Sequence, residues 1–128
     1  MKKDIQAAVL AYAAAQYGAE PEHLWLKAPD HAVLRRADSR KWFALFGEVP
    51  RGTLGLAGEG RVRVMVVKCD PLLLGVLRRR EGILPAYHMD KTHWITVLLD
   101  GTVSEPEACE RLDHSYTQAG AVKPRAKG

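Results

Sequence analysis

Residues 83–101 read ILPAYHMDKTHWITVLLDG, and the order of residue types within them decides the fold. Pro85 fixes its own φ, removes a backbone donor and biases Leu84 toward an extended conformation, so residues 84–86 cannot continue a helix arriving from upstream. From His93 onward, Trp94, Ile95, Thr96 and Val97 are β-branched or aromatic, Leu98 and Leu99 lengthen the apolar run, and Asp100-Gly101 supplies a turn. The stretch predicts a constrained loop feeding a buried strand with a firm stop. Between proline and strand stand Tyr87, His88, Asp90, Lys91, Thr92 and His93, a concentration of hydrogen-bonding side chains found nowhere else in the chain. A special site, if there is one, belongs there.

Upstream, residues 61–68 alternate, with Val62, Val64 and Val66 on one face of a strand and Arg61, Arg63 and Met65 on the other. The valines are expected inside, which turns two arginines outward beside the flexible, glycine-rich segment 50–60. That segment carries Gly52, Gly55, Gly58 and Gly60 but no Lys-Ser/Thr pair, and a strand follows it, so it matches neither a P-loop nor a dinucleotide fingerprint. Asp70-Pro71 opens a helix with aspartate as N-cap and proline in the first turn, and Leu73, Val76 and Leu77 form its expected buried stripe. Arg78, Arg79 and Arg80 close it; cations in a last turn complement the helix dipole and are also the residues that meet phosphate.

Residues 3–17 place Ile5, Val9 and Tyr12 at helical spacing, with Gly18 where the helix would end. Residues 20–29 hold Leu24, Trp25 and Leu26 between prolines and read equally as a short strand or an irregular cover. Segments 31–36 and 41–48, joined by Ala37-Asp38-Ser39-Arg40, predict an antiparallel hairpin. Ser104-Glu105-Pro106-Glu107 reads as a capping box for a last helix that carries Ala108, Leu112, Tyr116 and Ala119 on one face. Helices covering one face of a mainly antiparallel sheet give an α+β two-layer sandwich.

A chain of 128 residues makes one domain with a core that needs no staples, here residues 1–120, followed by a basic tail, 121–128, expected to be disordered. The formal charge of +4 sits largely in that tail: without Lys123, Arg125 and Lys127 the 19 Lys and Arg fall to 16 against 15 Asp and Glu, a body charge of +1. Overall charge therefore lends little to nucleic-acid binding; only a clustered face would. Cys69 and Cys109 form no C-x-x-C pair, which indicates neither a disulfide framework nor a zinc finger and suits a reducing cytoplasm. Asp4, Gln6 and Gln16 interrupt the first apolar run, which reads as an amphipathic helix rather than a targeting segment, and no run approaches the ~18 apolar residues of a membrane span.

For chemistry, His88, Asp90 and His93 are ligand-type side chains, but their spacing crosses a loop without a remote fourth ligand, so no metal and no other cofactor is expected. The plainer role is that the histidines and Thr92 hydrogen-bond the loop backbone while Trp94 covers the sheet edge or the core and holds the loop rigid. Ser115 and Cys69 are the conceivable nucleophiles, and neither stands in a nucleophile-elbow pattern or beside a sequence-level base. No catalytic residue, and no enzyme, is expected.

The motif PAYHMDKTHW followed by LDG, together with Lys41-Trp42-Phe43-Ala44, Lys68-Cys69-Asp70-Pro71 and Leu112-Asp113-His114-Ser115-Tyr116, resembles the MmcQ/YjbR family of small bacterial proteins, over almost the whole chain to about Tyr116. The resemblance implies the two-layer α+β fold and carries the family's DNA-binding label; Asp90 departs from the asparagine usual in the family. Two expectations follow. In the first, Arg61, Arg63, Lys91 and Arg78 to Arg80 contact the phosphate backbone of DNA and the glycine-rich segment adapts to the duplex. In the second, a protein or small acidic ligand occupies a pocket walled by Tyr87, His88, His93 and Trp94.

Overall fold

The computed structural model of the chain describes residues 4–28 and 30–120; the tail 121–128 lies outside them. Helix α1 (Ile5–Tyr17) starts where the Asp4 carboxylate accepts the Ala7 N–H at 3.0 Å and stops at Gly18, whose φ of 66° is the left-handed conformation that closes helices. Strands β1 (Ala32–Arg35) and β2 (Trp42–Pro50) form the expected hairpin, and β3 (Arg61–Lys68), β4 (Ile83–Pro85) and β5 (Trp94–Leu98) complete an antiparallel sheet of order β1-β2-β3-β5-β4. The last helix, α3 (Glu105–Gly120), starts with the Ser104 Oγ accepting the Glu107 N–H at 3.3 Å. Only half of the expected capping box forms, because the Glu107 carboxylate is drawn to the Arg80 guanidinium in two bonds of 2.7 and 2.8 Å. The short strand β4 is a finding: Pro85 does end helical structure, and it sits at the sheet edge, where a missing N–H costs no ladder bond.

Both faces of the sheet are buried, and the two arginines expected to point outward, Arg61 and Arg63, stay exposed at one end of β3. The core beneath α1 and α3 joins Ile5, Val9, Ala13, Phe43, Phe46, Met65, Val67, Ile95, Val97, Ala108 and Leu112. Each large side chain fully withdrawn from water there contributes about 1.5–3 kcal/mol. The valines of β3 are inside, as expected, but on the opposite face, with Leu45, Val49, Ala86, Trp94 and Leu98. That face is roofed by loops rather than helices, through Trp25, Trp42, Leu54, Leu56, Leu84, Tyr87 and Met89. Arg61 and Arg63 share the side of β3 that bears Met65 and Val67, so they belong to the helix-covered face and escape burial only where the strand runs past the start of α1. A two-residue period separates faces without saying which face the helices choose.

One further segment differs from expectation, and the fold decides the form of two others. The segment after Asp70 is a 3-10 turn, Pro71–Leu73, and one α-turn, α2 (Leu74–Leu77). Leu74 and Leu77 are its buried residues, while Leu73 and Val76 are 39% and 64% exposed; the tighter 3-10 turn shifts the helical register. Residues 20–28 form an irregular cover with a single bridge between Glu22 and Val33. The glycine-rich segment is folded back on itself: Arg51–Leu54 is a 3-10 turn, the Arg51 N–H bonds the Gly60 carbonyl at 2.9 Å, and Leu54 and Leu56 pack on the valine face.

Candidate functional site

The loop between β4 and β5 is organised by Asp90. Its carboxylate accepts the Thr92 N–H at 2.8 Å and meets His93 Nδ1 at 2.5 Å, and its carbonyl accepts the His93 N–H at 3.3 Å. This aspartate, rather than the histidines and Thr92, ties the loop to itself; the His93 bond, followed by the Thr92 N–H, holds its pKa below the usual carboxylate value. The loop is pinned to the sheet at both ends. Buried Thr96 accepts the Tyr87 N–H on its Oγ1 at 2.9 Å, and the His93 carbonyl accepts the Cys69 N–H at 2.8 Å. Beneath it Trp94 is 7% exposed, and the Lys68 ammonium stands 4.9 Å from its ring centroid. Burial, with Lys41 nearby, lowers the Lys68 pKa.

Two recesses open beside this loop and share His88. One, of about 410 Å³, is lined by Thr53, Leu54, Leu84, Pro85, Ala86, Tyr87, His88 and Lys91. The other, of about 350 Å³, is lined by Trp25, Ala28, His31, Trp42, Leu45, His88 and Met89. The Tyr87 and His88 rings lie against each other at 3.9 Å. His88 is exposed and has φ of 65°, one of two described non-glycine residues with positive φ. Of the four pocket residues expected from the sequence, Tyr87 and His88 do line a recess. His93 and Trp94 do not: the first is spent on Asp90, the second lies under the loop as core. Trp25, His31 and Trp42 were not singled out for a site; Gly47, a small residue inside a strand, was the available signal of something pressed close.

The cations expected to face phosphate do not share one surface pattern. The Arg63 guanidinium bonds the Asp4 carboxylate at 3.1 Å, and the Ala7 N–H, with Arg63 also contributing, holds the Asp4 pKa low. Arg61 donates to the Glu48 carbonyl at 2.6 Å and faces its carboxylate at 3.9 Å. Both line a recess of about 510 Å³ with Arg51 and the acids Asp4, Glu48 and Asp100, where charges of both signs alternate. Arg80 is held by Glu107, Arg78 and Arg79 are exposed on the turn after α2, and Lys91 belongs to the first recess at the β4–β5 loop.

The segments quoted for the resemblance converge on α3 as a lock between helix and sheet. Ser115 is fully buried; its hydroxyl donates to the Phe43 carbonyl at 2.5 Å and accepts the Lys68 N–H at 2.8 Å, which leaves it no freedom to act as a nucleophile. His114 Nε2 accepts the Asp70 N–H at 3.1 Å, a neutral-ring bond, and burial lowers its pKa. Asp113 accepts the hydroxyls of Tyr12, at 2.6 Å, and Tyr17. Cys69 is buried, which raises its thiol pKa, so it is no ready nucleophile. Among the described residues no three His, Cys, Asp or Glu side chains are grouped to hold a metal ion, and no helix is long and apolar enough to cross a membrane.

These elements define a two-layer α+β domain whose second sheet face is closed by loops around paired recesses. The YjbR family model matches residues 14–118, and the chain belongs to that family. It is 40% identical over 101 residues to the uncharacterized protein YyaQ of Bacillus subtilis, across 79% of this chain and 86% of that one. The uncharacterized protein YjbR of Escherichia coli is 36% identical over 62 residues, 48% of this chain and 52% of its own. A crystal structure of a Pseudomonas syringae protein superposes with a TM-score of 0.86 at 41% identity, covering 89% of this chain and 97% of its own. A Deinococcus radiodurans protein, at 22% identity and a TM-score of 0.71 over 99% of this chain and 87% of its own, shares the fold.

Proposed function

We propose that this chain is a binding module rather than a catalyst, and that its ligand is a small organic acid held beside Tyr87, His88 and Lys91. The observation that carries the reading is His88: an exposed, non-glycine residue kept in left-handed backbone conformation at the junction of two recesses. Such a conformation costs about 1–3 kcal/mol and persists where the surroundings hold it, commonly at binding sites. The recess beside it has the composition of a ligand site, with apolar walls from Leu54, Leu84 and Pro85 and a few polar groups in Thr53, His88 and Lys91. Lys91 supplies the cation for an acid. Free thiols at Cys69 and Cys109 suit action in a reducing cytoplasm.

The test is a thermal-shift and calorimetric screen of small carboxylates and phosphates against the chain and its Lys91→Ala variant. A bound acid at a hundred times its Kd stabilises the fold by about 2.7 kcal/mol, and the variant is expected to lose at least tenfold in affinity. No acid that stabilises the chain at millimolar concentration, or equal binding by the variant, refutes the reading.

Contact with the DNA backbone is supported by the exposed Arg78 and Arg79 and opposed by the carboxylates that already hold Arg61, Arg63 and Arg80. Titration of random duplex at several salt concentrations separates the two readings. Affinity that falls with salt and is lost in Arg78→Glu/Arg79→Glu supports DNA contact; no binding at low salt removes it.

A further inference from the structure

We infer that the recess beyond His88 is an aromatic subsite that takes one planar ring system, so that a ligand filling both recesses is an aromatic acid. The inference rests on the reading above in so far as the two recesses share His88. Its own grounds are the walls. Trp25 and Trp42 meet nearly at right angles, 5.8 Å between centroids and 80° between planes, and Trp25 meets His31 at 6.0 Å and 73°. A flat ring laid on one indole therefore presents its face to the edge of the other, so stacked and edge-to-face contacts form together. Leu45 and Met89 supply apolar contact beside it, and the Met89 thioether is a favourable neighbour for a ring.

Two features separate this recess from ordinary core. The fold closes over Trp94 but leaves Trp25 and Trp42 only half-buried, with about 350 Å³ between their walls and His88, near the lower end of small-molecule sites. The His31 wall is also seated on glycine. A Cβ at position 47 would lie 2.9 Å from His31 Nε2, so β2 carries Gly47 in its interior, where glycine weakens a strand, to let the imidazole lie flat against the backbone. No carboxylate lines the recess; the nearby Asp30 carboxylate accepts the Glu48 N–H at 3.0 Å and faces His31 Nδ1 at 3.5 Å. The lining therefore offers a ligand flat aromatic faces and no ion pair of its own, and shape and stacking are what select a ring there.

The three tryptophan indole N–H signals in a proton–nitrogen NMR spectrum of the nitrogen-labelled full chain report the test. Indole, indole-3-acetate and cyclohexylacetate are titrated separately. Indole and indole-3-acetate are expected to shift the Trp25 and Trp42 signals saturably and to leave Trp94 still, with binding at least tenfold weaker in Trp25→Leu, a change on the irregular cover outside the strands. Trp25 and Trp42 signals unmoved by both indoles, or moved as far by cyclohexylacetate as by indole-3-acetate, overturn the inference. Acid binding that perturbs Tyr87 and His88 but neither tryptophan overturns the aromatic subsite alone. Indole binding that gains nothing from the carboxylate, with Lys91→Ala neutral, supports the subsite and refutes the acidic-ligand reading instead.

Discussion

Replacing His88 by glycine is expected to leave the chain more stable than replacing it by alanine, the reverse of the usual order. Both variants lose the imidazole and its 3.9 Å contact with Tyr87, so the comparison isolates the Cβ at a φ of 65°. A Cβ in left-handed conformation costs about 1–2 kcal/mol, whereas glycine adopts it freely and loses instead some entropy from the unfolded chain. The net advantage of glycine is about 1 kcal/mol. In a chain of this size that is roughly 3–6 °C in Tm, and in urea it appears as a higher midpoint at unchanged slope. His88→Asn should fall between, because asparagine tolerates this region. Lys91 in the same loop has no positive φ, so the Lys91→Gly and Lys91→Ala pair should show the ordinary order. If strain at His88 serves the site, the glycine variant gains stability while losing affinity for indole-3-acetate. Equal midpoints for glycine and alanine at 88 would refute the reasoning, since they would mean that the loop relaxes and does not enforce this conformation.

Ser115→Ala leaves the Phe43 carbonyl and the Lys68 N–H without their buried partner, at about 1–3 kcal/mol for each orphaned group, a loss read directly by chemical denaturation. Gly82→Ala meets two obstacles, a φ of 90° and a Cβ only 2.6 Å from Val103 Cγ2, and is expected to cost at least about 2 kcal/mol; a fully stable variant would contradict the packing of α3's entry against β4. The Tyr12 hydroxyl donates to Asp113, which, with burial, raises its pKa from 10.0 to about 12. A raised pKa stabilises the fold fully below pH 10, and that contribution is lost as pH rises toward 12, so stability should fall across this window and Tyr12→Phe should flatten the fall. Circular dichroism melts between pH 9 and about 12 check the sign.

Much of the architecture is local and was legible in the chain. Gly18 closes α1, Ala37 to Arg40 turn the first hairpin, and β-branched residues with a terminal Asp-Gly mark β5, because helix ends, turns and two-residue alternation are set by nearest neighbours. What alternation along β3 leaves open is the side each face turns to. Valines and Met65 are both apolar, and whether helices or loops cover them depends on where α1, α3 and the segments 20–28 and 51–60 land.

The candidate site divides along the same line. Tyr87, His88 and Lys91 are neighbours in sequence and could be named from it, as could the fact that Asp90 sits among them. Trp25, His31 and Trp42 come from a loop, the residue before β1 and the start of β2, and only the fold sets two indoles at right angles beside an imidazole laid on a glycine. The pairing of Arg61 with Glu48 and of Arg63 with Asp4, which takes those cations from an open face into ion pairs, is likewise a long-range event. Residue type and spacing determined the elements, their caps and the special loop, since these are short-range properties of the backbone. Tertiary structure alone decided which face of the sheet is roofed by loops, where an opening remains between them and which charges are already matched, because each depends on segments far apart in the chain meeting in space.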